Sequence, residues 1–343
     1  MAKALFALYK NIFQPAKIHF FIDCNKFYLK KDKEKSVFTA FFFIFRQSVP
    51  LFYSVSTHFL LPLRLKSNIV FTLRLNNHLR SYSTMIWAVV NCTPDSFYSG
   101  SRLLSEQDIQ HCIDAYVAAG ADCLDIGGCS TRPGAKFVSE AEEWDRIEPA
   151  LSYAHHTYPH LPLSVDTFRV SVAQKAVRQY EASIINDVSG GALDEQMFFT
   201  IARLQCAYVL THSLPQNSDL HAPVKTNNLL AEIMHFFAEK TDQLQQLGVK
   251  DIILDPGFGF GKTTEDNFLL LKNLSLLQLF NRPVLAGLSR KSMLQQAAQC
   301  SAQEALPATI AANTIALINQ AQILRVHDVA ETKQIMEIVQ KSK

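Results

Sequence analysis

Much that would make the chain easy to place is missing. Its seven cysteines, at 24, 92, 112, 123, 129, 206 and 300, contain no C-x-x-C pair. An odd, dispersed set excludes a disulfide framework and offers no zinc-ligand spacing. Cys123 and Cys206 lie in apolar runs and read as small core residues of a protein from a reducing compartment. No apolar run near the N-terminus reaches the roughly 20 residues of a membrane span. Phe41-Phe-Phe-Ile-Phe45 is its most apolar stretch, and Arg46 and Pro50 interrupt it. The start lacks a secretory pattern, because only a short apolar run separates Lys3 from Lys10.

Glycine is absent from residues 1–84, and acid is scarce there. That segment holds thirteen of the 33 Lys and Arg and three of the 31 Asp and Glu, a balance of about +10. The remaining 20 basic and 28 acidic residues give about −8, which argues against a general nucleic-acid binder. Thirteen of the 24 phenylalanines also fall within 1–84, without a clean period of 2 or 3.6. Three readings stand for this segment: an organelle-targeting leader, the remnant of another domain, or upstream sequence translated from an early start codon. The third is favoured, since a Phe, Lys, Asn and Leu bias without periodicity suits AT-rich noncoding sequence. Met85 is then the expected start.

Organised sequence begins at Ile86. Short apolar runs alternate with amphipathic helical stretches, eight times in residues 85–343. The runs are Ile86–Val90, Cys123–Ile126, Leu163–Val165, Ser183–Ile185, Cys206–Leu210, Asp251–Leu254, Val284–Ala286 and Ile323–Val326. Ser139 with Glu142 three residues on is a capping-box pattern, and Gly120 and Gly248 read as helix stops. Eight strand–helix units in this length predict an α/β fold, a (β/α)₈ TIM barrel, preceded by an irregular N-terminal extension. A doubly wound sheet competes, but the first loop, Asn91-Cys-Thr-Pro-Asp-Ser-Phe97, has no dinucleotide glycines.

The densest motif is Asp255-Pro-Gly-Phe-Gly-Phe-Gly-Lys262, a buried run ending on a carboxylate, then glycines at alternate positions. Glycine admits positive φ and lets a ligand approach the backbone. It is not a P-loop, because Pro256 stands where the first glycine is required. Other polar residues recur at the same place, the C-terminal end of a run: Asn91, Asp125, Asp166, Asn186, His212, Asp255, Lys291, Arg325 and His327. In a barrel these ends converge on one mouth. Asp166, Asn186 and Asp255 suit the donor–acceptor edge of a flat nitrogen heterocycle. Lys291, Arg325, Arg132, His327 and Asn91 suit a diphosphate, with Mg²⁺ assisting. No covalent nucleophile stands out, so positioning and leaving-group stabilisation are the expected chemistry.

These ordered motifs resemble the dihydropteroate synthase family. The resemblance rests on 91–97, on Asp125-Ile-Gly-Gly-Cys-Ser-Thr-Arg-Pro-Gly134, on Ser164-Val-Asp-Thr167 and Ile185-Asn-Asp-Val188, and on 255–262. Ser289-Arg-Lys291 and Arg325-Val-His-Asp-Val329 complete it. It implies a pterin-binding barrel over 85–343 that joins dihydropterin-methyl diphosphate to p-aminobenzoate. By resemblance, Asp166, Asn186, Asp255, Lys291, Phe260 and Arg325 hold the pterin. Asn91, Arg132, Arg325 and His327 hold the diphosphate, with Mg²⁺ at Asn91. Thr131, Pro133, Phe97 and Ser289 shape the p-aminobenzoate site. Lys291, Arg325, His327 and Arg132 are the implied catalytic set. A cytoplasmic homodimer is also implied, without nucleic-acid or membrane partners, or an organellar one if 1–84 is a leader.

The chain departs from the family at three points. Cys129 replaces a usual Glu, and Thr211-His-Ser213 replaces Met-His-Met. The first strand is expected to start at Met85 without the usual lead-in hairpin. Two other readings share the pterin carboxylates: a methyltetrahydrofolate-dependent methyltransferase, which needs neither Thr131-Arg-Pro-Gly134 nor Ser289-Arg-Lys291, and a pterin binder without catalysis.

Overall fold

The computed structural model describes residues 70–75, 78–93, 105–130, 138–213 and 228–342. The chain divides into units Met1–Leu65 and Lys66–Lys343, and every described residue belongs to the second.

A parallel eight-stranded barrel organises that unit. Its strands are β3 (Met85–Asn91), β4 (Cys123–Gly127), β5 (Leu163–Asp166), β6 (Ile184–Asp187), β7 (Ala207–Thr211), β8 (Ile252–Asp255), β9 (Leu285–Ala286) and β10 (Ile323–Val326). They run in the order β8-β7-β6-β5-β4-β3-β10-β9, and a bridge between Leu254 and Val284 joins the two ends. Alternation decides what each strand residue meets. Leu124, Ile185, Leu210, Leu254 and Leu324 pack in the layer shared with the helices. Their neighbours Cys123, Ile184, Val209, Ile253 and Ile323 fill the barrel interior. Cys123 and Cys206 are buried, as their apolar surroundings predict.

Helices separate the strands: α1 (Glu106–Ala118), α2 (Glu140–Thr157), α3 (Val170–Tyr180), α4 (Met197–Leu204) and α5 (Leu229–Gln246), then α6 (Thr264–Lys272), α7 (Ser292–Ala298), α8 (Leu306–Ile318) and α9 (Val329–Ser342). The Ser139 hydroxyl caps α2 by accepting from the Glu142 N–H at 3.2 Å. Glu142 pairs with Arg146 at 2.5 Å, one turn along the same helix. A full capping box forms instead at α6, between Thr263 and Asp266. Helix α6 stops at Lys272, and the chain then tightens into a 3₁₀ segment, Leu274–Phe280. The seven-residue helix α7 has too few turns to show a period in the sequence.

The first barrel strand starts at Met85 as expected, but the expectation that no hairpin leads into it needs correction. An antiparallel hairpin precedes it, β1 (Phe71–Leu75) paired with β2 (His78–Tyr82). Phe71, Leu73 and Leu75 alternate with exposed residues and are buried with Met85, Trp87, Cys123, Ile253 and Ile323. The hairpin is therefore the lid of the interior core at the barrel's N-terminal end. Three such side chains contribute about 1.5–3 kcal/mol each. The alternation of Phe71-Thr-Leu-Arg-Leu75 carried this signal, but the aperiodic residues before it obscured it.

Candidate active site

At the C-terminal ends of the strands the interior positions turn from apolar to polar. Asp125, on β4, is fully buried and organises the group. It accepts from Ser164 Oγ at 2.5 Å, Asn186 Nδ2 at 3.0 Å and Arg325 Nε at 2.5 Å. Arg325 Nη2 also donates to Asp166 Oδ2 at 2.7 Å. Strands β4, β5 and β10 are thus cross-linked through one guanidinium fork, whose planar donors suit two carboxylates, and the Asn186 amide ties β6 to the same Asp125. Burial pushes the Asp166 carboxyl up to about 7, against the pull of Arg325. Burial also works against the Arg325 charge, but Asp125 and Asp166 hold it above its ordinary range. The amide Oδ1 of Asn186 is buried with no hydrogen-bond partner, an acceptor left for something else.

The glycine loop after β8 supplies the second half of the mouth. Asp255 Oδ1 accepts the Gly257 N–H at 2.7 Å. Burial raises its carboxyl, and Lys291 counters that. Gly257 takes φ 68°, and a Cβ there would lie 2.0 Å from the His212 carbonyl oxygen, so no other residue fits. Asn267 pins the next turn, its Oδ1 accepting the Gly259 N–H at 2.7 Å. Lys291 Nζ donates to the Phe258 carbonyl and lies 4.9 Å from the Phe260 ring centroid. Burial pushes its ammonium down to about 8, with Asp255 resisting. Phe260 is buried against Val188. Beside the loop lies a cavity of about 630 Å³, lined by Gly259, Lys262, Thr263, Asn267, Ser292 and Gln296 among others.

A third group gathers on the neighbouring strands β3 and β10. Asn91 Nδ2 lies 3.2 Å from His327 Nε2, and His327 Nδ1 lies 3.2 Å from Ser289 Oγ. An amide N–H toward Nε2 leaves the imidazole proton on Nδ1, donated to Ser289. Ser289 is therefore grouped with Asn91 and His327. Between Ser289 and Lys291, Arg290 holds φ 54° and is anchored inward. Its guanidinium donates to both oxygens of Asp328, at 3.1 and 2.8 Å, and to the Ala302 and Gln303 carbonyls.

Eight of the nine convergent residues meet at this mouth. His212 does not: Thr211 takes the interior parity, and the His212 ring packs 5.0 Å from Phe236. Burial pushes its imidazole down to about 3, a neutral core histidine. Thr211 is fully buried, and its hydroxyl has no partner. Phe97, Thr131, Arg132 and Pro133 lie outside the described residues. Cys129 is buried, which raises its thiol and makes it a poor nucleophile.

Three residues do more than their sequence positions suggested. Asp125 is the hub of the ion-pair network, and Arg290 is the staple just described. Asp187 accepts from the Ser189 and Gly191 N–H groups and from the hydroxyls of Ser189 and Tyr208, which fixes the turn after Asn186. Strand parity distinguishes Asp187 from Asn186, and could have identified it as a brace.

The profile of the pterin binding enzyme family matches residues 87–327. Dihydropteroate synthase of Clostridium beijerinckii is 36% identical over 252 residues, covering 72% of this chain and 90% of the relative. A Yersinia pestis dihydropteroate synthase, solved with a sulfonamide drug, superimposes with a TM-score of 0.75 at 33% identity, covering 79% and 98% of the two chains. A Xanthomonas albilineans dihydropteroate synthase with 4-aminobenzoic acid gives 0.73 at 33% identity, covering 80% and 98%. Barrel, mouth and extended similarity agree: the chain belongs to the pterin-binding enzymes, in the dihydropteroate synthase family.

Proposed function

We propose that the chain condenses (7,8-dihydropterin-6-yl)methyl diphosphate with p-aminobenzoate, releasing diphosphate and forming 7,8-dihydropteroate for folate biosynthesis. The observation that carries this reading is the mouth itself. A buried heterocycle-reading set lies within one ion-pair network of a group suited to diphosphate. Asp166, Asp255 and the orphaned Asn186 Oδ1 present acceptors for ring N–H and amine donors. Lys291 lies over Phe260 beside Asp255, where it would cover the ring and answer its acceptors. Asn91, His327 and Arg325 stand on adjacent strands, where they would hold the diphosphate. Arg132 joins them by resemblance.

The reaction these groups support is dissociative. Donors at the diphosphate stabilise the charge that leaves, and Asp166 and Asp255 stabilise the pterin-methyl cation left behind. The amine of p-aminobenzoate then attacks the methylene carbon and loses its proton. Among the described residues, no three His, Cys, Asp or Glu side chains gather to hold a metal. Mg²⁺ fits here only as a partner of the substrate, with Asn91 Oδ1 as the protein's oxygen once Nδ2 is given to His327. When bound, it would neutralise charge on the departing diphosphate.

Sulfonamides, as mimics of p-aminobenzoate, are the expected inhibitors. Ile315 and Ile318 on α8 are exposed, as are Phe268 and Leu269 on α6. That apolar face supports a homodimer, which sedimentation would reveal. Among the described residues, no helix is long and apolar enough to cross a membrane. Their cysteines are free, in keeping with a reducing compartment such as the cytoplasm. The direct test is diphosphate release from the pterin substrate. Release that requires p-aminobenzoate and yields dihydropteroate supports the reading. Pterin binding without turnover sinks it.

A further inference from the structure

Lys262 closes the glycine motif, and nothing in the reaction just described uses it. Its position is unusual for a lysine, for it is buried and turned into the protein. Nζ donates to three main-chain carbonyls: Gly257 at 2.8 Å, His212 at 3.1 Å and Phe260 at 3.1 Å. An ammonium has three N–H donors and no acceptor, so these three carbonyls use all of it.

We infer that Lys262 is a positioning residue of the pterin pocket, an internal ammonium that clasps the ends of β7 and β8 to the glycine loop and so sets where Asp255 and Phe260 stand. The inference rests on the functional reading above. Three observations connect the clasp to the ligand groups. Gly257 gives its carbonyl to Lys262 and its N–H to Asp255, so one residue carries the position of the cation to the carboxylate. Phe260 gives Lys262 its carbonyl, and its ring lies against Lys291. The close approach of Gly257 to His212 brings two carbonyl dipoles toward one point, and a cation there relieves their repulsion.

The arrangement is costly, and that argues for a purpose. Burial pushes the Lys262 ammonium down to about 7, opposed by Asp255 and reinforced by Lys291. A neutral amine has two hydrogens and would release one carbonyl. A methionine of similar length would fill the space, but it would leave the three carbonyls unsatisfied and free to shift. The loop would then present Asp255 and Phe260 less accurately, and a loosened site loses affinity for the group it was built around.

The experiment compares Lys262→Met and Lys262→Gln with the wild type, first for pterin binding by fluorescence and then for both KM values. The expected result is a rise of about tenfold or more in the pterin-substrate KM for Lys262→Met. The KM for p-aminobenzoate should stay within about twofold, and Lys262→Gln should fall between, since its amide keeps two donors. A folded Lys262→Met enzyme with a lower Tm but an unchanged pterin KM overturns the inference, for the lysine is then only a support of the fold. If neither variant folds, reductive methylation of the wild type decides. Lys262 should react at least about tenfold more slowly than exposed Lys272, and more slowly again once pterin is bound. Equal reactivity, or no response to pterin, overturns the inference. A wild-type protein that binds no pterin overturns the functional reading and the inference with it, and this is seen before any variant is made.

Discussion

The two ends of the barrel are built by the same strands and differ almost completely. At the N-terminal end, interior positions carry Met85, Trp87, Cys123, Ile184 and Ile323, closed from below by Phe71, Leu73 and Leu75. A few residues further along the same strands they carry Asn91, Asp125, Asp166, Asn186, Asp255 and Arg325. The floor gains stability by removing apolar area from water. The mouth holds buried charge in place with hydrogen bonds, and charge held this way adds little net stability. One end keeps the barrel shut, and the other keeps a set of charges aimed at a ligand.

Removing the floor should have the largest effect. Residues 85–343 expressed alone lack the hairpin and expose the interior core, a loss comparable to the whole stability of a domain. We expect that fragment to aggregate or lack a cooperative transition, while 66–343 melts cooperatively. Equal melting of the two would remove the floor's half of the contrast.

Arg325→Met breaks the mouth. It leaves Asp125 and Asp166 buried without their cation, which costs about 3–5 kcal/mol. Urea titration should show that loss, and kcat/KM should drop by about a thousandfold or more. A variant that keeps full stability would show that the network is not the strut described here.

Lys291→Arg gives a smaller, pH-dependent effect. The wild-type ammonium, lowered to about 8 by burial, loses its charge as pH rises through that value, so pterin affinity should fall on the alkaline side. Arginine stays charged, and the alkaline limb should move up by a unit or more, as read from kcat/KM against pH. The stability sign is opposite. A lysine pKa depressed on folding contributes stability above its unfolded value of about 10.4, and loses it as pH falls through 8. Relative to Lys291→Met, the wild type should therefore gain stability between pH 8 and 10.

Thr211→Val is the mildest change. It removes a buried hydroxyl without a partner and keeps the side-chain shape, so stability should hold or rise slightly, by about 1 kcal/mol at most, read as an unchanged or slightly higher melting temperature. A clear fall would mean that the hydroxyl is satisfied within the fold.

The mouth was legible in the sequence because most strands announce their end with a polar residue after an apolar run. Asn91, Asp166, Asn186, Asp255, Arg325 and His327 stand at or within one residue of a strand end, while Lys291 lies five residues beyond β9. The floor was less legible. Phe71-Thr-Leu-Arg-Leu75 is a five-residue alternation beside a long aperiodic segment, too short to be distinguished locally. His212 misled because being next to a strand end does not settle parity, and here the neighbouring Thr211 takes the inward place. Asp125, Arg290 and Lys262 could not be read as hub, staple and clasp, because each draws its meaning from partners distant in sequence. Arg325 lies 200 residues from Asp125, and only the fold makes them neighbours.

Arg290 has one more implication. Ser289 on its left faces His327, in the group suited to diphosphate, while Lys291 on its right faces Phe260, in the group suited to the ring. The residue between them is held by Asp328, by two carbonyls and by the Thr309 hydroxyl. The tripeptide thus works as a caliper with a locked joint: it fixes the gap between Ser289 and Lys291, and neither can be repositioned without moving the other.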